Sequence, residues 1–185
     1  MRPHAAAQVA AALCAALALG GATGCSDGPR PDRAAATTYD LPPRPVREGE
    51  SPLHGRRARS ADLEVTALGF RDGIREILGT HASMTPKGRY VRVRILAENR
   101  GRDIQIFDTW RQLLVTADGR AHSPDVNAIM VKRQPERLPI GAGVRVELDL
   151  WYDVPGQARV TGLRIVGSPP VGAVSDPPPA DIPLP

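Results

Sequence analysis

The segment GVRVELDLWYDVP, residues 143–155, alternates without a break. Val144, Val146, Leu148, Leu150 and Tyr152 fall on one parity, Arg145, Glu147, Asp149, Trp151 and Asp153 on the other, and Pro155 and Gly156 end the run. A period of two gathers the apolar set on one face of an extended strand, whereas a helix would mix the two sets. The segment RYVRVRILAEN, 89–99, repeats the pattern, with Val91, Val93, Ile95 and Ala97 set against Arg92, Arg94, Leu96 and Glu98. Strands that are apolar on one side need a second layer to bury that side against.

Shorter runs supply that layer: DLEVTALGF from Asp62, DIQIF from Asp103, QLLVTA from Gln112 and VTGLRIVG from Val160. Turn chemistry separates them, because NRGRD at 99–103 and ADGR at 117–120 offer the Asn, Asp and Gly residues that tolerate positive φ in hairpins. No run of ten or more residues shows helical periodicity, and Ile74, Ile77 and Leu78 are expected to line one helical turn between the first two strands. Six of the seven aromatic residues lie between Phe70 and Tyr152, so the bulk to be buried is central. Six or seven strands over 62–167 predict an all-β fold, an antiparallel immunoglobulin-like β-sandwich in preference to a barrel.

The flanks differ in kind. Arg2 precedes an apolar stretch, Val9 to Leu19, which is shorter than the roughly 20 residues a membrane span needs and is followed by Gly20, Gly21, Thr23 and Gly24. Residues 1–24 therefore read as an export signal. The small residues before Cys25 resemble a bacterial lipobox, with Ala22 at the position where that motif favours Leu. The resemblance implies a lipidated N-terminus at Cys25, a palmitate-type anchor and a location on the extracytoplasmic face of the cell membrane. The rivals are cleavage by the ordinary signal peptidase and a cytoplasmic protein with an apolar N-terminus. Cys14 would leave with the signal, so no disulfide is expected. Two or three acyl chains anchor stably, since each buried methylene contributes about 0.8 kcal/mol.

Residues 25–61, with six prolines after the cysteine, are expected to be a tether that cannot pack. Its 36 residues beyond Cys25 would span roughly 30 to 36 Å as a coil. Within it HGRRARS, 54–60, reads as solvated linker or as a patch for anionic headgroups. Residues 168–185 hold seven prolines and are expected to be a disordered tail.

The order GRYVRVRILAENRGRDIQIF, then LLVTADGRAHSPD, then LPIGAGVRVELDLWYDVP resembles the Ig-like lipoprotein domain of unknown function found in Gram-positive bacteria. That domain is related in fold to telokin and to a secreted mycobacterial immunoprotective antigen. The shared elements are Asn99 and Gly101 after a strand, Asp118, Gly119, Pro124 and Asp125 after the next, and Leu138 and Gly141 leading to a strand that closes on Val154 and Pro155. IGAG at 140–143 departs from the family's simpler turn. The resemblance implies a fold and a location but no chemistry, because the family has no agreed activity.

Motifs for catalysis are not apparent. His54, His81 and His122 show no zinc-ligand spacing, and the hydrolase, phosphate-loop and dinucleotide fingerprints are missing from the sequence. His122 reads as a surface or half-buried structural residue, and adjacent Ser123 would point to the opposite face of a strand. Asp118, Asp125, Asp149 and Asp153 lack the dense alternation of a calcium loop and read as turn or outer-face residues. The 24 basic against 20 acidic side chains leave a net charge of +4, a mildly basic surface without a nucleic-acid footprint.

Trp151 falls on the polar parity. It is either a surface anchor for a binding partner, flanked by Arg92 and Arg94, or a ring covered by a loop or by those arginine stems. Trp110, between strands, is similarly open. The expectation is a lipid-anchored module that binds an envelope protein or other ligand, with neither cofactor, metal nor enzymatic activity. The alternative is an envelope hydrolase or metal-dependent enzyme assembled from His81, His122 and several Asp.

Overall fold

The computed structural model describes residues 44–80, 82–169 and 172–185. In chain order these residues form β1 (Ser51–Ser60), β2 (Leu63–Ile74), β3 (Ile77–Leu78), β4 (Ser83–Met84), β5 (Arg89–Asn99), β6 (Gln105–Asp108), β7 (Leu113–Thr116), β8 (Ala121–His122), α1 (Val126–Lys132), β9 (Arg137–Ile140), β10 (Arg145–Val154), β11 (Val160–Ile165) and β12 (Ala180–Pro183). A single 3-10 turn, Thr109–Arg111, stands between β6 and β7.

The two alternating segments, β5 and β10, pair antiparallel along their full length, with Val93 opposite Leu150 and Arg92 opposite Trp151. They belong to an antiparallel sheet of order β1-β2-β5-β10, which faces a second antiparallel sheet of order β12-β11-β7-β8. The fold is the expected antiparallel β-sandwich. Val65, Ala67, Val93, Ile95, Leu150 and Tyr152 from the first sheet meet Leu114, Leu163, Ile165 and Ile182 from the second, with Phe107 and Ile140 from the β6–β9 ribbon between them. Tyr152 lies wholly in this core and donates its hydroxyl to the Gln112 carbonyl at 3.0 Å, and burial pushes that hydroxyl's pKa well above the usual phenol value.

Four sequence expectations are corrected. The tether was expected to reach residue 61, yet 51–60 is an edge strand that buries Leu53 and Ser60 and half-buries Ala58 against the core. Its period is hidden by a bulge between Pro52 and Arg56, where His54 and Gly55 take positive φ. The tail expected to be disordered carries β12, which pairs Ile182 with Leu163 and seals Ile182 and Leu184 from solvent. Proline is admissible there because β12 is an edge.

The turn around Ile74, Ile77 and Leu78 is not helical: β3 pairs with β4, Ile77 opposite Met84. NRGRD is a crossing between layers and not a hairpin, since β6 leaves β5 to pair with β9. Buried Asn99 fixes the crossing by donating to the carbonyls of Asp103 and Ile140 at 2.7 and 2.8 Å and accepting from the Gly101 N–H. ADGR does close a hairpin, β7–β8, with Gly119 at φ +81°. Cys25, the signal segment 1–24 and the part of the tether before residue 44 lie outside the described residues, as do His81, Pro170 and Val171.

Candidate interaction face

The outer face of the β1-β2-β5-β10 sheet carries rows set by register: Arg71, Arg92 and Trp151; Gly69, Arg94 and Asp149; Thr66, Leu96 and Glu147. Two segments from distant parts of the chain lie over these rows. One is α1 with the β3–β4 hairpin. The other is the chain entering the domain, residues 44–50.

The helix is built by its ends. Asp125 accepts from the Ala128 N–H at 2.8 Å as N-cap, and donates its own N–H to the Trp151 carbonyl, so the cap also ties the helix to β10. Arg133 closes the other end in the left-handed region at φ 51°. Ala128 is small enough to sit against the sheet, where it joins Ile77, Tyr90 and Trp151 in a second apolar cluster separate from the main core. Trp151 is 5% exposed. Its ring meets Tyr90 edge to face at 6.5 Å and 89°, with Arg92 and Lys132 cations 5.7 and 5.8 Å from its centre. Among the described residues its Nε1 finds no hydrogen-bond partner, nor does the Arg92 Nε. Burial and the charges of Asp125 and Asp153 push the Tyr90 hydroxyl up to about 12.

The entering chain is held by charge. Glu50, its side chain fully buried, pairs with Arg94 at 2.8 Å and reaches Arg92 at 3.4 Å. It fits because Gly69 has no side chain: a Cβ there would overlap the Glu50 carboxylate. Arg94, 3% exposed, also bonds Glu147 and donates to the Pro45 carbonyl. Arg47 spans Glu147 and Asp149, and Arg44 pairs with Glu147. Burial pushes the Glu50 carboxyl up, but the Arg47 N–H, the hydrogen bond and charge of Arg94 and the charge of Arg92 outweigh it and hold the group below its ordinary value.

The expected binding group of Trp151, Arg92 and Arg94 is therefore corrected. The three residues do share a face, but they form the floor beneath its covering, and the anchor reading of Trp151 fails because α1 and Ile77 cover the ring. What faces solvent is the covering itself. Val46, Leu78, Val126 and Met130 are 55, 67, 49 and 67% exposed. Met130 borders a groove of about 230 Å³ with Gly79, Thr80, Ala82, Val131 and Arg133. Lys132 donates to the Leu78 carbonyl at 2.6 Å and so joins helix to hairpin. Sequence reasoning missed these residues because the helix is only seven residues long. Pro124 and Asp125 followed by Val126 and Met130, four apart, were the available signal.

The remaining candidates do not converge. His122 is half-buried with Nε2 3.2 Å from the Thr116 hydroxyl, and His54 sits exposed in the β1 bulge. Asp118 accepts from Thr116 and from the Arg120 N–H, and the Thr116 hydrogen bond leads in lowering its pKa. Asp153 accepts from the N–H groups of Lys87 and Gly88. Asp125 and Asp149 are engaged in the cap and in the Arg47 pair. Trp110 is half-buried in the 3-10 turn, its indole N–H 3.5 Å from Glu136. Among the described residues no three His, Cys, Asp or Glu side chains gather as a metal site.

No family model matches the chain, and no curated protein matches it. Solved structures do. The yjhA protein from Bacillus subtilis superposes with a TM-score of 0.51 at 14% identity, over 70% of this chain and 97% of that one. A protein of Bacillus subtilis subsp. subtilis str. 168 described as a putative lipoprotein (ycdA) superposes with a TM-score of 0.50 at 15% identity, over 70% of this chain and 38% of that one. At these identities the likeness shows the fold. No helix among the described residues is long and apolar enough to cross a membrane.

Proposed function

We propose that the chain is an extracytoplasmic lipoprotein whose Ig-like β-sandwich is a binding module, working through the covered outer face of the first sheet. The carrying observation is the exposed trio Leu78, Val126 and Met130, the last bordering a groove, on segments packed through Ile77 and Ala128 into the apolar cluster beneath them. Apolar side chains gathered on a fixed platform suit recognition. The lipobox-like GATGC at 21–25 supports the anchored location, and the fold likeness to a protein described as a lipoprotein agrees with it.

The reading is tested in two parts. Cys25→Ala should release the protein into the medium or leave an unprocessed precursor, and detergent-phase partitioning of a mature-sized product would contradict the anchor. Leu78→Asp and Met130→Asp, with unchanged circular dichroism, should abolish association with whatever the domain binds in intact envelopes. Association that survives both changes would place the binding surface elsewhere.

A further inference from the structure

We infer that this face docks on the membrane that holds the anchor, with anionic lipid headgroups as its partner; the inference rests on the proposed lipoprotein reading and gives its binding face an occupant. Three observations carry it. Of the seven large exposed hydrophobic side chains among the described residues, four (Val46, Leu78, Val126 and Met130) belong to the segments laid over the outer face of the first sheet. Two cations border them on the helix side: Lys132 and Arg133 lie with Leu78, and Arg133 also lines the groove beside Met130. Among the described residues neither has a carboxylate within ion-pair distance, although Lys132 donates to the Leu78 carbonyl, whereas Arg44, Arg47, Arg92 and Arg94 hold the entering chain. Apolar side chains with basic ones beside them match the boundary between acyl chains and anionic headgroups.

The third observation is where the chain enters. Arg47 pairs with Asp149, the Asp149 N–H donates to Gln134 just beyond α1, and Arg92 touches both Glu50 and the Trp151 ring. The connection to Cys25 thus arrives on the same side as the apolar patch. Because the domain begins near Arg44 and not at residue 62, only residues 26–43 separate it from the anchor. Even fully extended, eighteen residues reach no farther than roughly 65 Å, half the reach of the 36 residues expected for the tether. A face kept that close meets the bilayer at high effective concentration, so weak affinity suffices.

The test uses the mature chain from Cys25 onward with Cys25→Ser, which separates face from anchor, added to vesicles of phosphatidylglycerol and phosphatidylcholine or of phosphatidylcholine alone. Expected are sedimentation with the anionic vesicles only and slower hydrogen exchange confined to 74–84 and 126–133. Met130→Asp or Leu78→Asp should remove binding. Arg133→Gln should weaken it about fivefold, the equivalent of about 1 kcal/mol per basic residue. No sedimentation at millimolar lipid overturns the inference, as does protection elsewhere, or protection of this face only by a purified envelope protein. An unmodified Cys25 in the native protein, read from the mass of its N-terminal peptide, would instead overturn the anchored reading and leave the vesicle result standing.

Discussion

Residues 44–50 and 180–184 close the two ends of the described chain, and they do so with different forces. The first segment carries no apolar side chain into the sheet and is held by Glu50, Arg47 and Arg44 against Arg92, Arg94, Glu147 and Asp149. The second pairs β12 to β11 and buries Ile182 and Leu184 in the main core, with only the exposed Arg164–Asp181 pair outside. Each holds one proline, so proline content does not separate them. The difference lies in what each meets: the C-terminal end completes an apolar layer, while the N-terminal end neutralises a charged one. The apolar contact should respond to pH and salt only weakly, through the exposed Arg164–Asp181 pair, and the charged one strongly.

The largest effect should come from removing the apolar end. Deleting residues 180–185 strips Ile182 and Leu184 and opens β11 as an edge, costing about 3 to 6 kcal/mol at about 1.5 to 3 per buried side chain and promoting association. Urea unfolding and light scattering would show it. A chain that stays monomeric and as stable as the parent would erase the contrast between the two ends.

Glu50→Ala comes next, because it leaves the buried Arg94 guanidinium with only the longer, partly exposed pair to Glu147. Loss of one partner from a buried pair costs about 3 to 5 kcal/mol. The charge of the clasp, and not the chain's path, is responsible if urea midpoints fall this far for Glu50→Ala but not for Pro45→Ala.

The third prediction concerns pH. The Glu50 carboxyl titrates below its ordinary 4.5 in the folded protein, so the unfolded chain takes up the proton first as pH falls. Its stabilisation is complete above pH 4.5 and is lost as pH drops through the folded value. Midpoints measured from pH 6 downward should decline less for Glu50→Gln than for the parent, and Ile182→Ala should decline in parallel with the parent. Equal slopes for the parent and Glu50→Gln would mean that another carboxyl governs the acid limb.

The smallest effect is expected under α1. Trp151→Phe keeps an aromatic ring on the cluster and removes an indole N–H that has no partner among the described residues, so the loss should stay under about 1.5 kcal/mol. Trp151→Ala should cost about 3 to 5 kcal/mol and raise exchange in 126–132. A Phe variant as damaging as the Ala variant would show that the indole nitrogen has a partner in solution.

The inward faces of β5 and β10 were legible because alternation states which parity is apolar, and Val93, Ile95, Leu150 and Tyr152 are buried as their spacing requires. β1 and β12 were not, since edge strands with a bulge or prolines lose the period that identifies them. The candidate face was half legible. Alternation places Trp151, Arg92 and Arg94 on one outer surface, but it leaves open whether that surface is wet or covered.

The sequence by itself determined two long one-sided strands, a layered antiparallel fold around their apolar faces and a cysteine set apart from it. Only the tertiary structure decided what lies on the other side of those strands, because local periodicity encodes the direction of a side chain and not what arrives to cover it. Arg47 reaches Asp149 across 102 positions of chain, and Arg44 reaches Glu147 across 103. Such a pairing is fixed only when the fold brings the charges together.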